Sequence, residues 1–139
     1  MRRVLVVDPD ASFRALIALV LEIEGFTVLT AGSMAEALKI ARRAHPDVIS
    51  INVGAPGLHG WSLSRQLRAD SATASTRQMI VDGSGAVADG VPTRVDAVLT
   101  GRADTAGFAE ALRRSCDGRP RAPSRTRSRL TWTPSWSGG

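Results

Sequence analysis

The sequence is poor in three features that would assign it to large classes of protein. It has one cysteine, Cys116, which excludes an internal disulfide and any zinc site built from several cysteines. It has no apolar run of about 18 residues, which excludes a membrane-spanning helix. Its first residues are basic, but Asp8 and Asp10 interrupt the apolar stretch that a signal peptide needs. We therefore expect a cytoplasmic protein with no membrane insertion.

Lysine is also scarce, since seventeen of the eighteen basic residues are arginines, and the formal net charge is +5. Residues 1–117 carry thirteen basic and thirteen acidic residues, so the whole excess lies in residues 118–139. That segment is rich in Gly, Arg, Pro, Ser and Thr and cannot bury enough surface to offset its ordering entropy. We predict a folded domain over 1–117 and a disordered basic tail over 118–139. Nucleic-acid binding is expected only through the tail arginines, which are Arg119, Arg121, Arg125, Arg127 and Arg129.

The first 117 residues alternate between two hydrophobic periods. Short apolar runs rich in β-branched residues predict strands, and amphipathic stretches between them predict helices. The predicted strands are 4–7, 26–30, 48–52, 78–81 and 95–99. The predicted helices follow Asp10 or Ser12, span 34–44 and 61–69, and follow Asp104 or Thr105, with at most two helical turns near 86–89. A capping box from Ser33 to Glu36 is predicted to open the second helix. The apolar stripe of the first helix is predicted at Phe13, Leu16, Ile17, Val20 and Leu21. Helical crossovers require parallel strands, so we predict a doubly wound α/β fold of flavodoxin type with strand order 2-1-3-4-5.

In such a sheet, chemistry takes place beyond the carboxyl ends of the strands. The residues predicted there are Asp8, Pro9 and Asp10 after the first strand, Asn52 after the third, Asp82 to Ser84 after the fourth, and Thr100 with Gly101 after the fifth. Asp10 is best interpreted as the cap of the first helix. Cys116 is interpreted as a buried helix residue, and both histidines as exposed residues.

Two segments then point to a family. Val4–Asp8 is followed six residues later by Arg14, and Pro46–Val53 is followed by Pro56-Gly57 and Gly60. With these motifs in this order and spacing, the chain resembles the receiver domain of bacterial two-component response regulators. The resemblance covers residues 2 to about 117 and implies a role in phosphorelay signal transduction.

The resemblance also implies site residues, and most of them are replaced here. The phosphate-accepting aspartate falls at Asn52, and the two adjacent magnesium-binding acids fall at Asp8 and Pro9, with Asp10 displaced by one position. The switch serine or threonine falls near Asp82 or Ser84. The lysine that pairs with the phosphoryl group falls at Gly101, directly after Thr100.

These replacements remove the chemistry. The amide of Asn52 makes no stable acyl phosphate, and a magnesium site loses an anionic ligand when a carboxylate becomes an amide. We therefore expect a stand-alone pseudo-receiver that is not an enzyme, needs no cofactor and binds Mg²⁺ weakly or not at all. It would act by binding a protein, such as a sensor kinase, another regulator or an enzyme complex. The first helix and the loop from Val53 to Trp61, including His59, are the predicted interface.

Two alternatives remain open. The chain could be a working phosphorelay receiver with a non-standard acceptor, namely Asp8, Asp10 or Asp82. It could instead be a small-ligand or nucleotide-binding module that uses the strand-end crevice and the glycine-rich loop 83–85.

Overall fold

The computed structural model describes residues 2–55, 57–82, 95–100, 105–117 and 130–131, and these form an α/β sandwich. The strands are β1 (Arg3–Val7), β2 (Thr27–Ala31), β3 (Val48–Asn52), β4 (Arg77–Asp82), β5 (Ala97–Thr100) and β6 (Leu130–Thr131). The helices are α1 (Ala11–Ile23), α2 (Met34–Ala44), α3 (Gly60–Ala69) and α4 (Thr105–Asp117). The short helix predicted near 86–89 lies outside the described residues. None of the described helices is long and apolar enough to cross a membrane.

The sheet has the order β2-β1-β3-β4-β5-β6, and its first five strands are parallel. This confirms the predicted order 2-1-3-4-5. The sixth strand was not predicted: Leu130 and Thr131 pair antiparallel with Leu99 and Val98. The expectation of a tail without structure therefore fails at these two residues, because the free edge of β5 offers unpaired backbone groups to any strand that reaches it. The five tail arginines lie outside the described residues.

The central strand β1 shows how the sequence builds two cores. Val4 and Val6 pack with Ile17 of α1 and Leu112 of α4 on one face of the sheet. The alternate residues, Leu5 and Val7, pack on the other face with alanines and leucines of α2 and α3. All four β1 side chains named here are almost fully buried. Burying each of these side chains contributes about 1.5–3 kcal/mol to the free energy of folding. A continuous apolar run is therefore the pattern expected of a strand that is covered on both faces.

Side chains near the helix starts fix where two of the helices begin. Asp10 caps α1, because its Oδ1 accepts hydrogen bonds from the backbone N–H groups of Ser12 and Phe13 at 3.0 and 3.2 Å. Ser33 caps α2 by accepting from the N–H of Glu36. The Glu36 carboxylate reaches back to the N–H of Gly32, one residue before the position that a capping box would use.

The apolar stripe predicted for α1 is wrong at one position. Ile17 and Leu21 are buried as expected, but Leu16 is 53% exposed. Leu19 and Ile23 lie on the same side of the helix and are 57% and 76% exposed. Since the sheet covers less than half of a helix surface, the outer part of a broad apolar stripe has no partner among the described residues.

A polar network lies at the edge of the sheet where β4 begins. Arg68 of α3 donates to the carbonyl oxygens of Ala74 and Thr76 and pairs with Asp96 at 3.2 Å. The same Asp96 carboxylate accepts from the backbone N–H of Gln78 at 2.8 Å. The Gln78 side chain is fully buried and bonds both the hydroxyl and the carbonyl of Ser64. We call Ser64, Arg68, Gln78 and Asp96 the amino-edge network, and it ties α3 to β4 and to the chain entering β5.

Candidate functional site

The opposite edge of the sheet brings together three polar residues from three adjacent strands. Asp8 follows β1, Asn52 ends β3 and Asp82 ends β4. The register pairs Val7 with Ile51 and Asn52 with Val81, so the three strand ends lie side by side. We call Asp8, Asn52, Gly54 and Asp82 the carboxyl-edge site. Its position agrees with the general rule for doubly wound sheets.

Asp8 is held by hydrogen bonds on every side. Asp8 is only 7% exposed, and its Oδ1 accepts a hydrogen bond from the backbone N–H of Asp10 at 2.9 Å. Its other oxygen, Oδ2, accepts from Nδ2 of Asn52 at 2.9 Å. The Asp8 carbonyl oxygen accepts from Arg14 at 2.7 Å, and its N–H donates to Ala31 at 3.1 Å. Both carboxylate oxygens are therefore engaged by N–H donors.

The two ends of the Asn52 amide make different contacts. Its NH₂ group donates to Asp8, and its carbonyl oxygen accepts from the backbone N–H of Gly54 at 3.1 Å. These two partners define which way the amide points. An aspartate at this position could accept from Gly54, but when ionised it has no hydrogen to donate to Asp8; only its protonated form has an O–H donor. The site is thus built for an amide.

Asp82 and Gly54 complete the carboxyl-edge site. Asp82 is 2% exposed. A methyl group built on Gly54 would lie 2.9 Å from Oδ1 of Asp82 and 3.8 Å from Oδ1 of Asn52. Position 54 therefore has little room for a side chain, because the Asp82 carboxylate occupies that space. The Asn52 amide thus has its nitrogen on Asp8 and its oxygen on the N–H of Gly54, and Asp82 lies on the other side of the space above Gly54.

Of the other predicted site residues, Asp10 reaches the site through its backbone N–H, which donates to Asp8. Asp10 is exposed and its side chain caps α1. The backbone of Thr100 pairs in register with Asp82. Ser84 and Gly101 lie outside the described residues.

The predicted interface residues lie at the start of α3. His59 is exposed, precedes the helix with a positive φ of 57°, and makes no side-chain cap. Trp61 is partly buried and packs against the core on the α2 and α3 side of the sheet. Gly60 is needed because a methyl group there would lie 2.8 Å from the Cα of Val53. Cys116 is partly rather than fully buried.

Sequence reasoning missed two contacts of this site. It included Arg14 only as part of a motif, whereas its guanidinium holds the Asp8 carbonyl and lies against Gly32. It also missed the approach of Asp82 to Gly54. The only available signal was a glycine two residues after Asn52, beside a strand whose end carries an acid.

Comparison with the sequence models of known protein families identifies the family of this chain. The model of the response regulator receiver domain matches residues 4–105. The chain belongs to the response regulator receiver domain family. Receiver domains act in signal transduction and interact with partner proteins such as kinases and effectors.

Several relatives illustrate the likeness. The DNA-binding response regulator MtrA of Mycobacterium tuberculosis (strain ATCC 25618 / H37Rv) is 40% identical over 70 residues, which are 50% of this chain and 31% of that protein. The matched segment thus spans about a third of this longer relative. The chemotaxis response regulator CheY4 of Vibrio cholerae is 25% identical, with a TM-score of 0.72, over 83% of this chain and 98% of that one. A receiver domain from Clostridium thermocellum shares the fold with a TM-score of 0.74 at 23% identity, over 84% and 95% of the two chains.

The residues of this receiver do not fit the magnesium ion that the family resemblance implies. Magnesium favours several hard, anionic oxygens in an octahedral shell. Here both Asp8 oxygens accept from N–H groups, and the Asn52 side chain presents its NH₂ group to Asp8. Within the described part of the chain, no group of three or more His, Cys, Asp or Glu side chains is placed to hold a metal ion.

Proposed function

We propose that this chain is an atypical receiver that works without phosphorylation, by binding another protein, and that it is not an enzyme. The observation that carries the proposal is the hydrogen bond from Asn52 Nδ2 to Asp8 Oδ2 at the position of the family's acceptor. The asparagine amide supplies a donor to Asp8 where the family resemblance implies a cation. The site is therefore satisfied from within the protein.

The chemistry of phosphoryl transfer supports the same conclusion. Transfer to a side chain needs a nucleophilic oxygen and positive groups that stabilise the transferred charge. Asn52 offers a neutral amide oxygen that already accepts from Gly54. Gly101 stands where the family has its lysine, and Pro9 stands where the family has its second metal-binding acid. Three separate contributions to transfer are missing, so restoring any one of them alone should give little activity.

An exposed apolar surface on α1 supports protein binding. Leu16, Leu19 and Ile23 lie on one side of the helix and are all more than half exposed. Three large apolar side chains grouped on one helix face are a typical feature of interaction surfaces. The partner is proposed to be a sensor kinase, another regulator or an enzyme complex. The loop from Val53 to Trp61 lies beyond the carboxyl end of β3 and is the second candidate surface.

Incubation with acetyl phosphate and Mg²⁺, followed by intact-mass spectrometry, tests the proposed loss of phosphorylation. We expect no mass increase corresponding to a phosphoryl group on the wild-type chain. A stable adduct on Asp8, Asp10 or Asp82 would overturn the proposal and support a working phosphorelay receiver with a non-standard acceptor. A receiver with an aspartate acceptor serves as the positive control for the reagent.

Partner binding is tested by affinity capture from the native cell with the wild type and with the double variant Leu19→Glu/Ile23→Glu. We expect a protein that the wild type captures equally with and without acetyl phosphate and that the variant loses. The matched control is Glu22→Gln, an exposed change on the same helix. Capture that depends on acetyl phosphate would contradict phosphorylation independence.

A thermal-shift panel of nucleotides tests the remaining alternative. The glycine-rich loop 83–85, on which a nucleotide-binding module would depend, lies outside the described residues. We expect no stabilisation beyond experimental scatter. A saturable increase in Tm with one nucleotide would favour the ligand-binding function instead.

A further inference from the structure

Asp82 is a buried acid whose role the proposed function leaves unexplained. It ends β4 and is 2% exposed, although carboxylates are among the side chains least often buried. The family resemblance implies a small, uncharged hydroxyl residue near this position. The replacement therefore adds a buried carboxylate to the carboxyl-edge site, while the change to Asn52 removes one.

The geometry shows where this carboxylate is placed. Its Oδ1 lies 2.9 Å from the point that a methyl group on Gly54 would occupy, and Asn52 Oδ1 lies 3.8 Å from the same point. Gly54 in turn donates its N–H to Asn52. Asp82 therefore packs against the first residues of the loop between β3 and α3, beside the acceptor position.

The charge of the Asp82 carboxylate favours a role as a substitute for a phosphoryl group. A phosphoryl group adds about 1.5 to 2 negative charges and three acceptor oxygens to its site. A carboxylate is a smaller anion with two acceptor oxygens. Placed beside the acceptor position, it provides a negative group there without phosphorylation, and it disfavours the approach of a second anion.

We propose that the Asp82 carboxylate is the built-in anion of this receiver. It places a negative group at the end of the strand next to the acceptor position, and its packing over Gly54 holds the start of the loop after β3 in one arrangement. This inference rests on the proposed function, since a fixed anion has this role only in a receiver that works without phosphorylation.

The packing of Asp82 over Gly54 is tested by a double-mutant cycle between positions 54 and 82. Gly54→Ala should lower Tm by about 4 °C in the wild-type background, because its methyl group meets Oδ1 of Asp82. In the Asp82→Ala background the same change should cost less than half as much, since the oxygen is gone. Equal losses of Tm in the two backgrounds would overturn the packing contact.

The effect of the Asp82 charge on phosphorylation is tested in the Asn52→Asp background, where an acceptor carboxylate is present. Acetyl phosphate with Mg²⁺ should phosphorylate Asn52→Asp/Asp82→Asn and Asn52→Asp/Asp82→Thr roughly tenfold faster than Asn52→Asp alone. Asp82→Asn keeps the shape of the side chain and removes only the charge, so it controls for folding. Equal rates in all three variants would overturn the anion role. An adduct on the wild type would instead overturn the proposed function, so the two failures are distinguishable.

Discussion

The two edges of the sheet carry polar networks of similar size with different consequences. The amino-edge network joins Arg68, Asp96, Gln78 and Ser64, and its contacts link α3 with β4 and the start of β5. The carboxyl-edge site joins Asp8 to Asn52, whose amide also accepts from Gly54. In the part of the chain that the structure describes, no buried side-chain nitrogen or oxygen lacks a hydrogen-bond partner. Both edges therefore satisfy their buried polar groups.

The two edges differ in the groups that complete their hydrogen bonds. At the amino edge, a cation and an anion are both part of the chain, so the network needs nothing from solution. At the carboxyl edge, the family resemblance implies acids that require a metal ion and a phosphoryl group. The replacement of the acceptor by Asn52 makes this edge self-sufficient as well. Both edges thus resemble each other in drawing these hydrogen-bond partners from the chain itself.

Removing Arg68 should give the largest loss of stability. Arg68 and Asp96 side chains are 16% and 24% exposed, and Arg68 also holds two backbone carbonyls. We expect Arg68→Ala to lower the free energy of unfolding by about 3 kcal/mol, measured by urea denaturation. The exposed Arg65 on the same helix is the control, and Arg65→Ala should cost less than about 0.5 kcal/mol. Similar losses for both variants would show that the amino-edge network adds no particular stability.

The change Asn52→Asp should have the next largest effect on stability, and it should depend on pH. It replaces the donor that lies 2.9 Å from Asp8 with a second carboxylate. We expect a loss of about 2 kcal/mol at neutral pH without Mg²⁺. Stability should return as the pH falls, because a protonated carboxyl can donate to Asp8. Asn52→Ala, which adds no charge, should lose about 1 kcal/mol with much less pH dependence. The same pH profile for both variants would contradict the role assigned to the amide.

The smallest effect is expected at Asp70, which lies at the end of α3 near the amino edge. The side-chain hydrogen bond from Arg42, at 2.7 Å, holds the pKa of Asp70 below its ordinary value of 3.8, and the Ala72 N–H adds to this. Because the folded pKa is lowered, the pair stabilises the protein above the ordinary pKa, and that contribution is lost as the pH falls through the folded pKa.

Titration by NMR should show the Asp70 pKa rising towards 3.8 in Arg42→Ala. It should stay somewhat lowered, since the Ala72 N–H still donates to the carboxylate. The neighbouring exposed change Arg43→Ala is the control and should leave the Asp70 pKa unchanged. A larger rise with Arg43→Ala than with Arg42→Ala would contradict the assigned pairing.

Much of the fold could be predicted because its determinants are local. The apolar run of β1, the cap at Asp10 and the serine cap of α2 each act over a few residues, and the structure contains all three. Strand order then followed from the requirement for crossovers. The exposed Leu16 and the strand β6 were missed, since both depend on what lies next to an element in space.

The candidate site was predictable in its members and less so in its contacts. Strand ends identified Asp8, Asn52 and Asp82 as neighbours, because parallel strands end at one edge. Nothing local indicated that the Asn52 amide would bond Asp8, or that Asp82 would fill the space over Gly54. Those contacts depend on side-chain directions that only the packed sheet determines.

Whether the Asn52 amide closes the Asp8 site to a metal ion is tested by titrating the wild-type chain with Mg²⁺ and following the NMR signals of the Asn52 side-chain NH₂ group and the Asp10 backbone N–H. Both groups donate to the Asp8 carboxylate, so a metal ion bound there must displace or perturb them. We expect neither signal to shift at millimolar Mg²⁺, while Asn52→Asp shows a saturable shift at Asp10. A saturable shift of the wild-type signals would show that the amide does not close the site, and would contradict the account.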